Sequence, residues 1–285
     1  MRAVRIVPPV PEVSVAYYTD PADPWSWALE PAVRRLQVEF GAAVAITYVM
    51  GGLAREVDDP VLRARAWLEA AAQSGMPVDV RLWLESPPAS TYPACLAVKA
   101  AAEQGDPAPY LRRLREGFAV RGRKLDTTEA LVDEARATPG LDVDRFRIDL
   151  ASNAIVELFG ADLERRRSRE LSLPALALGD RVLSGLVSWD ELREAAVAAG
   201  AEPAADGPPD VEAALRRFGT LAPAEAAAVC SLPGPRAPAE LWALAVQWNP
   251  AAATASGLDI QLFRGLVEAS LARLQAVPED EHVAA

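Results

Sequence analysis

The sequence predicts an α/β fold: a β-α-β unit, a long helical insert, a β-β-α closing unit and, past a linker, a separate helical block. Three observations carry this. The first fifty residues change from strand-like to helical periodicity and back. Residues 58–168 are patterned almost wholly as helix. Two short apolar runs joined by Gly179-Asp180 then lead directly into a helix start signal.

Val13 to Tyr18 is rich in β-branched and aromatic residues, which suit the pleated surface of a strand. The Asp-Pro pairs of 19–24 make a loop. From Trp25 to Phe40, Leu29, Val33, Leu36 and Phe40 recur every three to four positions, and Gly41 is the stop signal. Residues 43–50 form a second strand ended by Gly51-Gly52. In the insert, Leu62, Ala66 and Ala70 share one helical face, and further helices are predicted over 92–104, 111–118, 127–136 and 142–167. Pro174–Leu178 and Val182–Leu186 flank the Gly-Asp turn as a hairpin. Ser188 with Glu191 has capping-box spacing and starts the next helix. Residues 201–209 have linker composition. The predicted organisation is a core of 12–53 and 169–200, an insert of 54–168, the linker, and a helical module of 210–285 anchored by Trp242 and Trp248.

The chain has 285 residues, 51% of them hydrophobic, which permits at least one core of ordinary size. With 29 basic against 40 acidic residues its net charge is −11, which argues against a nucleic-acid binder or attraction to an anionic membrane. The only histidine, His282, lies in an acidic tail, which excludes His-based triads and His-ligated zinc clusters. Cys95 and Cys230 form no CxxC motif, so neither a zinc ribbon nor a dithiol redox motif is available, and no metal site is expected. No signal-like start and no run of about 18 apolar residues is present, so a cytoplasmic location is the default. The 210–285 block, with helices from Val211, Pro223 and Pro238, is loosely similar to a helix-turn-helix or winged-helix core. Residues 207–285 carry five arginines against nine acidic residues, however, which favours a packing or partner-binding module over a DNA reader.

The element order resembles the DsbA branch of the thioredoxin fold. Within it, the stretch from Tyr17 to Pro31, with Asp23-Pro24-Trp25-Ser26 at the helix start, is most similar to the FrnE-like proteins and the YjbH/SpxH adaptor group. Val49-Met50-Gly51-Gly52-Leu53 is similar to the second-strand ending of that adaptor group, and Ser172 to Leu176 resembles the cis-proline loop of thioredoxin folds. The resemblance covers residues 13–200. It places Asp23 at the nucleophilic cysteine position and Ser26 at the resolving one. Thiol–disulfide exchange needs a thiolate attacking sulfur, which neither residue provides. Kappa-class glutathione transferases and chromene-carboxylate isomerases also share this branch. Pro24 to Trp27 resembles the latter part of their Ser-Pro-Tyr-Ser-like start.

Two readings of Asp23 follow. Asp is a preferred N-cap and Pro is favoured at the first helical position. A cap accepting the backbone N–H of Trp25 or Ser26 should have a pKa below the usual carboxylate value. A general acid/base or ligand anchor requires burial to outweigh the cap and raise it. Trp25, Trp27, Met50, Trp83 and Tyr92 either wall a cleft or pack in the core. Leu173-Pro174, read as a cis peptide facing Asp23 and Ser26, would be a peptide-recognition edge. Cys95 is a reactive thiol at a helix start or a buried apolar group. The function expected is a non-redox binding or adaptor protein without a cofactor, taking a client peptide, protein or small molecule near Asp23 and Pro174. The alternative is an isomerase or kappa-like thiol transferase using Asp23 and Ser26 with a low-molecular-weight thiol.

Overall fold

The structure, a computed structural model, describes residues 13–247. Trp248, His282 and the remainder of the predicted 210–285 block lie outside the described residues. Strand β1 (Val13–Thr19) leads into α1 (Pro24–Glu39) and β2 (Val44–Met50). The insert is α2 (Pro60–Ser74), α3 (Arg81–Glu85), α4 (Tyr92–Ala102), α5 (Ala108–Ala119), α6 (Thr128–Arg136), α7 (Val143–Leu150) and α8 (Asn153–Arg167). Strands β3 (Ala175–Leu178) and β4 (Arg181–Ser184) and helix α9 (Trp189–Ala198) close the core. Helices α10 (Val211–Phe218), α11 (Pro223–Val229) and α12 (Arg236–Gln247) follow.

The sheet has the order β2-β1-β3-β4, with β1 parallel to β2 and antiparallel to β3. Strand β1 is central, and both its faces are covered. Val13, Val15 and Tyr17 pack with Leu29, Val33 and Leu36 of α1, with Leu176, and with Leu192 of α9. Ala16 and Tyr18 pack on the other face with Val49, Ala175 and Ala177. The hairpin forms as its turn chemistry predicts: Leu178 pairs with Arg181, leaving Gly179-Asp180 as the turn, with Gly179 at φ +56°. Both halves of the Ser188 capping box are present. Glu191 N donates to Ser188 Oγ (3.3 Å), and Ser188 N donates to Glu191 Oε2 (2.9 Å).

Helix α1 ends at Glu39 with Phe40 as its C-cap, and Gly41, left-handed at φ +52°, follows as the expected stop. Three elements differ from the sequence expectation. Helix α2 buries Ala64, Trp67, Ala70 and Ala71 and leaves Leu62 59% exposed. The large Trp67 indole, with more apolar area to bury than Leu62, turns the helix away from the Leu62–Ala66 face. The predicted 142–167 helix is two helices, because the Ser152 hydroxyl accepts the Ile155 N–H and caps α8. Trp242 does not anchor the last unit: it is 48% exposed, and Leu215, Leu221, Val229 and Leu241 form that core.

Candidate functional site

The site lies where β1 runs into α1. Thr19, Asp20, Asp23 and Ser26 are all buried there. Asp23 is the N-cap of α1, extended at φ −84° and ψ 116°, with Pro24 in the first turn. Its Oδ1 accepts the Trp25 N–H (3.4 Å). Its Oδ2 accepts both the Ser26 N–H (2.9 Å) and the Ser26 hydroxyl (2.6 Å). Ser26 Oγ in turn accepts the Thr19 hydroxyl at 2.8 Å. The two residues at the cysteine positions are therefore bonded to each other and closed off. Asp23 is 1% exposed and Ser26 0%.

The cap hydrogen bonds form as expected, but the expected fall in the Asp23 pKa does not occur. Burial pushes it up to about 6, against the lowering effect of the Ser26 hydrogen bond, and the nearby Asp20 charge adds to the rise. The local hydrogen bonds of the cap act to lower the pKa. The desolvation comes from tertiary packing and is larger.

Asp20 is a second buried carboxyl, also pushed up by burial. It accepts the N–H groups of Ala22 (2.8 Å) and Leu53 (2.6 Å), the Thr91 hydroxyl (2.9 Å) and the Cys95 thiol (3.2 Å). Asp20 thus ties the site loop to the end of β2 and the start of α4. Cys95 is buried in this cluster, and burial with the Asp20 charge holds its thiol well above the ordinary range. That replaces the reactive-thiol reading with the buried one.

The other residues singled out divide into core and surface. Trp27 is fully buried, donating its indole N–H to the Pro77 carbonyl (2.9 Å) under the Arg112 guanidinium, 4.4 Å from its ring. Met50 and Trp83 are fully buried in the insert's core. These three offer no accessible cleft wall. Trp25, Tyr92 and Leu173 remain partly exposed. Tyr92 stands edge-on to Phe159, with ring centroids 5.1 Å apart. Leu173-Pro174 is a cis peptide. Ala175 pairs with Tyr18, which places Pro174 one position further on, beside Thr19. A Cβ on Gly51 would lie 2.5 Å from Leu173 Cδ2, so a larger residue at the end of β2 would push the Leu173 side chain aside.

Sequence reasoning missed a set of buried charges beside the site. Glu30 and Arg34 of α1, Arg112, Arg115 and Glu116 of α5, and Glu225 of α11 are all buried. Burial disfavours the Glu30 charge, but Arg115, Arg112 and Arg34 together hold its carboxyl below the usual range. The available signal was the four-residue spacing of Glu30–Arg34 and Arg112–Glu116, which on a helix ordinarily marks an exposed pair. Chemically, the site presents a carboxyl and two hydroxyls aligned with a buried guanidinium. It holds no thiol at the two family cysteine positions. Among the described residues no cluster of three or more His, Cys, Asp or Glu could hold a metal ion, and no helix is long and apolar enough to cross a membrane.

Comparison with known proteins agrees with this architecture. A protein of Halalkalibacterium halodurans named ClpXP adapter protein SpxH is 31% identical over 171 residues, spanning 55% of this chain and only 55% of that relative. The protein of the same name from Shouchella clausii is 26% identical over 86% of both chains. The solved structure of a "probable DsbA oxidoreductase" from Streptomyces coelicolor superposes with a TM-score of 0.56 at 20% identity, covering 70% of this chain and 94% of that one. The fold is thus the DsbA-like thioredoxin fold predicted from the element order. The profile of the family described as thioredoxin matches residues 17–173, more than half of the sequence, and the chain belongs to that thioredoxin family.

Proposed function

We propose that the protein is a non-redox adaptor of the cytoplasm that holds a client protein and presents it to a ClpXP-type protease. The observation that carries this is the closed Asp23–Ser26 pair. At the position where a thiol oxidoreductase needs an accessible thiolate, this chain has a buried carboxyl bonded to a buried hydroxyl. The ClpXP adapter relatives support the adaptor role. In this reading the client contacts the partly exposed Trp25, Tyr92 and Leu173 around the α1 start and the Pro174 loop. In this reading residues 12–53 and 169–200 are the core and 54–168 the insert, and the helical unit after the 201–209 linker packs on them through α11.

A photo-crosslinking amino acid at position 25 or 173 would capture the client. Degradation of that client by purified ClpXP is then measured with and without the full chain. Faster client loss that disappears with Trp25→Ala and Leu173→Ala is expected. An unchanged degradation rate with the wild-type chain would refute the adaptor role.

One observation favours the second reading, an isomerase or kappa-like thiol transferase using Asp23 and Ser26 with a low-molecular-weight thiol. Asp23 titrates at about 6, a suitable range for a general base. Glutathione conjugation to a chloronitroarene, lost on Asp23→Asn, would establish it over the adaptor.

A further inference from the structure

The six buried charges under α1 comprise three guanidiniums and three carboxylates, so the group is neutral when all are ionised. Buried ions must be paired to be tolerated, and all six are. Glu225 accepts from both Arg112 Nη1 (2.8 Å) and Nη2 (2.9 Å) and lies 3.1 Å from Arg34 Nε. Glu116 accepts from Arg112 Nε (2.7 Å) and from the Thr220 hydroxyl (2.5 Å). Glu30 lies 3.3 Å from Arg112 Nη1 and 3.6 Å from Arg34 Nε, and accepts from Arg115 Nη1.

One arm of Arg115 leaves this group. Its Nη2 donates to Thr19 Oγ1, the Thr19 hydroxyl donates to Ser26 Oγ, and the Ser26 hydroxyl donates to Asp23. Every donor points the same way, from guanidinium towards carboxylate, and hydrogen bonds of one polarity reinforce each other. The far end of the chain of contacts is fixed just as firmly. The Glu225 carboxylate also accepts the Ala222 N–H at 2.7 Å, where α11 begins. Helix α11 lies beyond residues 17–173, the part matched by the thioredoxin profile.

We propose that Glu225 is a positioning residue for the Asp23–Ser26 site. By engaging Arg112 and Arg34 it leaves Arg115 to hold Thr19, so that the helical unit after residue 210 sets the charge state of the site. The proposal deepens the adaptor reading and rests on Asp23–Ser26 being its functional centre. The charged and titratable groups around Asp23 are Asp20 of its own loop, Arg115 of α5, Glu30 of α1, Tyr17 of β1, and Cys95 of α4 acting through Asp20. Neutralising Glu225 leaves one surplus positive charge in the group, with Arg115 as its nearest member to the site. The ionised form of Asp23 is then favoured.

The test is a carboxyl-carbon NMR titration of Asp23 in the full chain. Glu225→Gln should lower the Asp23 midpoint by about half a pH unit, roughly a threefold change in proton affinity. Glu225→Asp keeps the charge and should keep the wild-type midpoint. Thr19→Val keeps the shape of the side chain but cuts the hydroxyl relay, and should raise the midpoint. A folded Glu225→Gln variant with an unchanged or raised midpoint overturns the proposal, as does Glu225→Asp shifting as far as Glu225→Gln. If Glu225→Gln does not fold, Thr19→Val decides alone, and an unmoved midpoint there overturns it. The titration needs no client. The proposal can therefore fail while the adaptor role stands, and lost client degradation with the predicted titrations would count against the adaptor role alone.

Discussion

Asp23→Asn removes a buried charge while keeping a good helix cap, because Asn serves as well as Asp at that position. The folded protein holds the Asp23 proton with a pKa of about 6, against an ordinary value of 3.8. A gap of about two units corresponds to about 3 kcal/mol. The sign follows from the direction of the shift. The folded state binds the proton more tightly than the unfolded chain, so this group's contribution to stability is fully present below about pH 3.8 and lost as the pH rises through about 6. Integrating the linkage relation, about 2 kcal/mol of the change falls between pH 4.5 and 7.5. The asparagine variant has no such loss, so its stability relative to wild type should rise by about that amount across this window. For a chain of this size that is on the order of 4–8 °C in midpoint temperature. The neighbouring Asp20 is also held up by burial. Removing the Asp23 charge eases its ionisation, which acts in the same direction. Urea unfolding of both proteins at pH 4.5, 6 and 7.5, followed by tryptophan fluorescence, measures the difference. A difference constant to within about 0.5 kcal/mol across the three pH values would refute the claim that burial outweighs the cap.

Four further outcomes are expected. The wild-type chain should not accelerate dithiothreitol-driven insulin reduction. Asp23→Cys combined with Ser26→Cys should form an internal disulfide on mild oxidation, read as protected thiols; failure to form it would count against placing these residues at the family's cysteine positions. Cys95, buried and with its thiol held well above the ordinary range, should resist maleimide at pH 7.5 in the native protein and react once urea unfolds it. Gly52→Ala should lose about 1–3 kcal/mol of stability in chemical denaturation. Gly52 sits at φ +61°, and a Cβ there would lie 2.7 Å from Leu163 and 2.9 Å from Tyr92.

The parts legible in the sequence are those fixed by short-range chemistry. The Gly179-Asp180 turn, the Ser188–Glu191 box and the Asp23-Pro24 helix start each state their geometry within four residues, and each forms. The misread parts depend on distant packing. Ser152 looked like one more polar position in a helical run, whereas its hydroxyl starts a new helix. Leu62 and Ala66 had the right spacing for a buried face, but Trp67 took the core. The Asp23 pKa was inferred from its cap bonds, but its burial depends on how the surrounding elements close over it. The charged network is the extreme case. Glu30 and Arg112 are 82 positions apart and Arg112 and Glu225 are 113 apart, so nothing local distinguishes them from surface pairs.

That network also bears on why a chain without the family thiols would keep so polar a site. In the redox members of this fold, the amide groups and dipole at the start of the helix stabilise a thiolate. Asp23 puts a carboxylate at the same place and accepts the same kind of N–H bonds, so the electrostatic match survives the loss of sulfur. Capping alone requires no more than this. Yet the carboxyl is also bonded to Ser26, Ser26 to Thr19, and Thr19 to an arginine that belongs to a group of six buried charges. Replacing buried ion pairs of that kind by well-packed apolar side chains is often neutral or stabilising. A fold selected for stability alone would have little reason to retain them under α1. Their presence argues that the helix start is held in one defined position. The proposed adaptor, with its client around Trp25 and Leu173, would need that rigidity and no reactive group there.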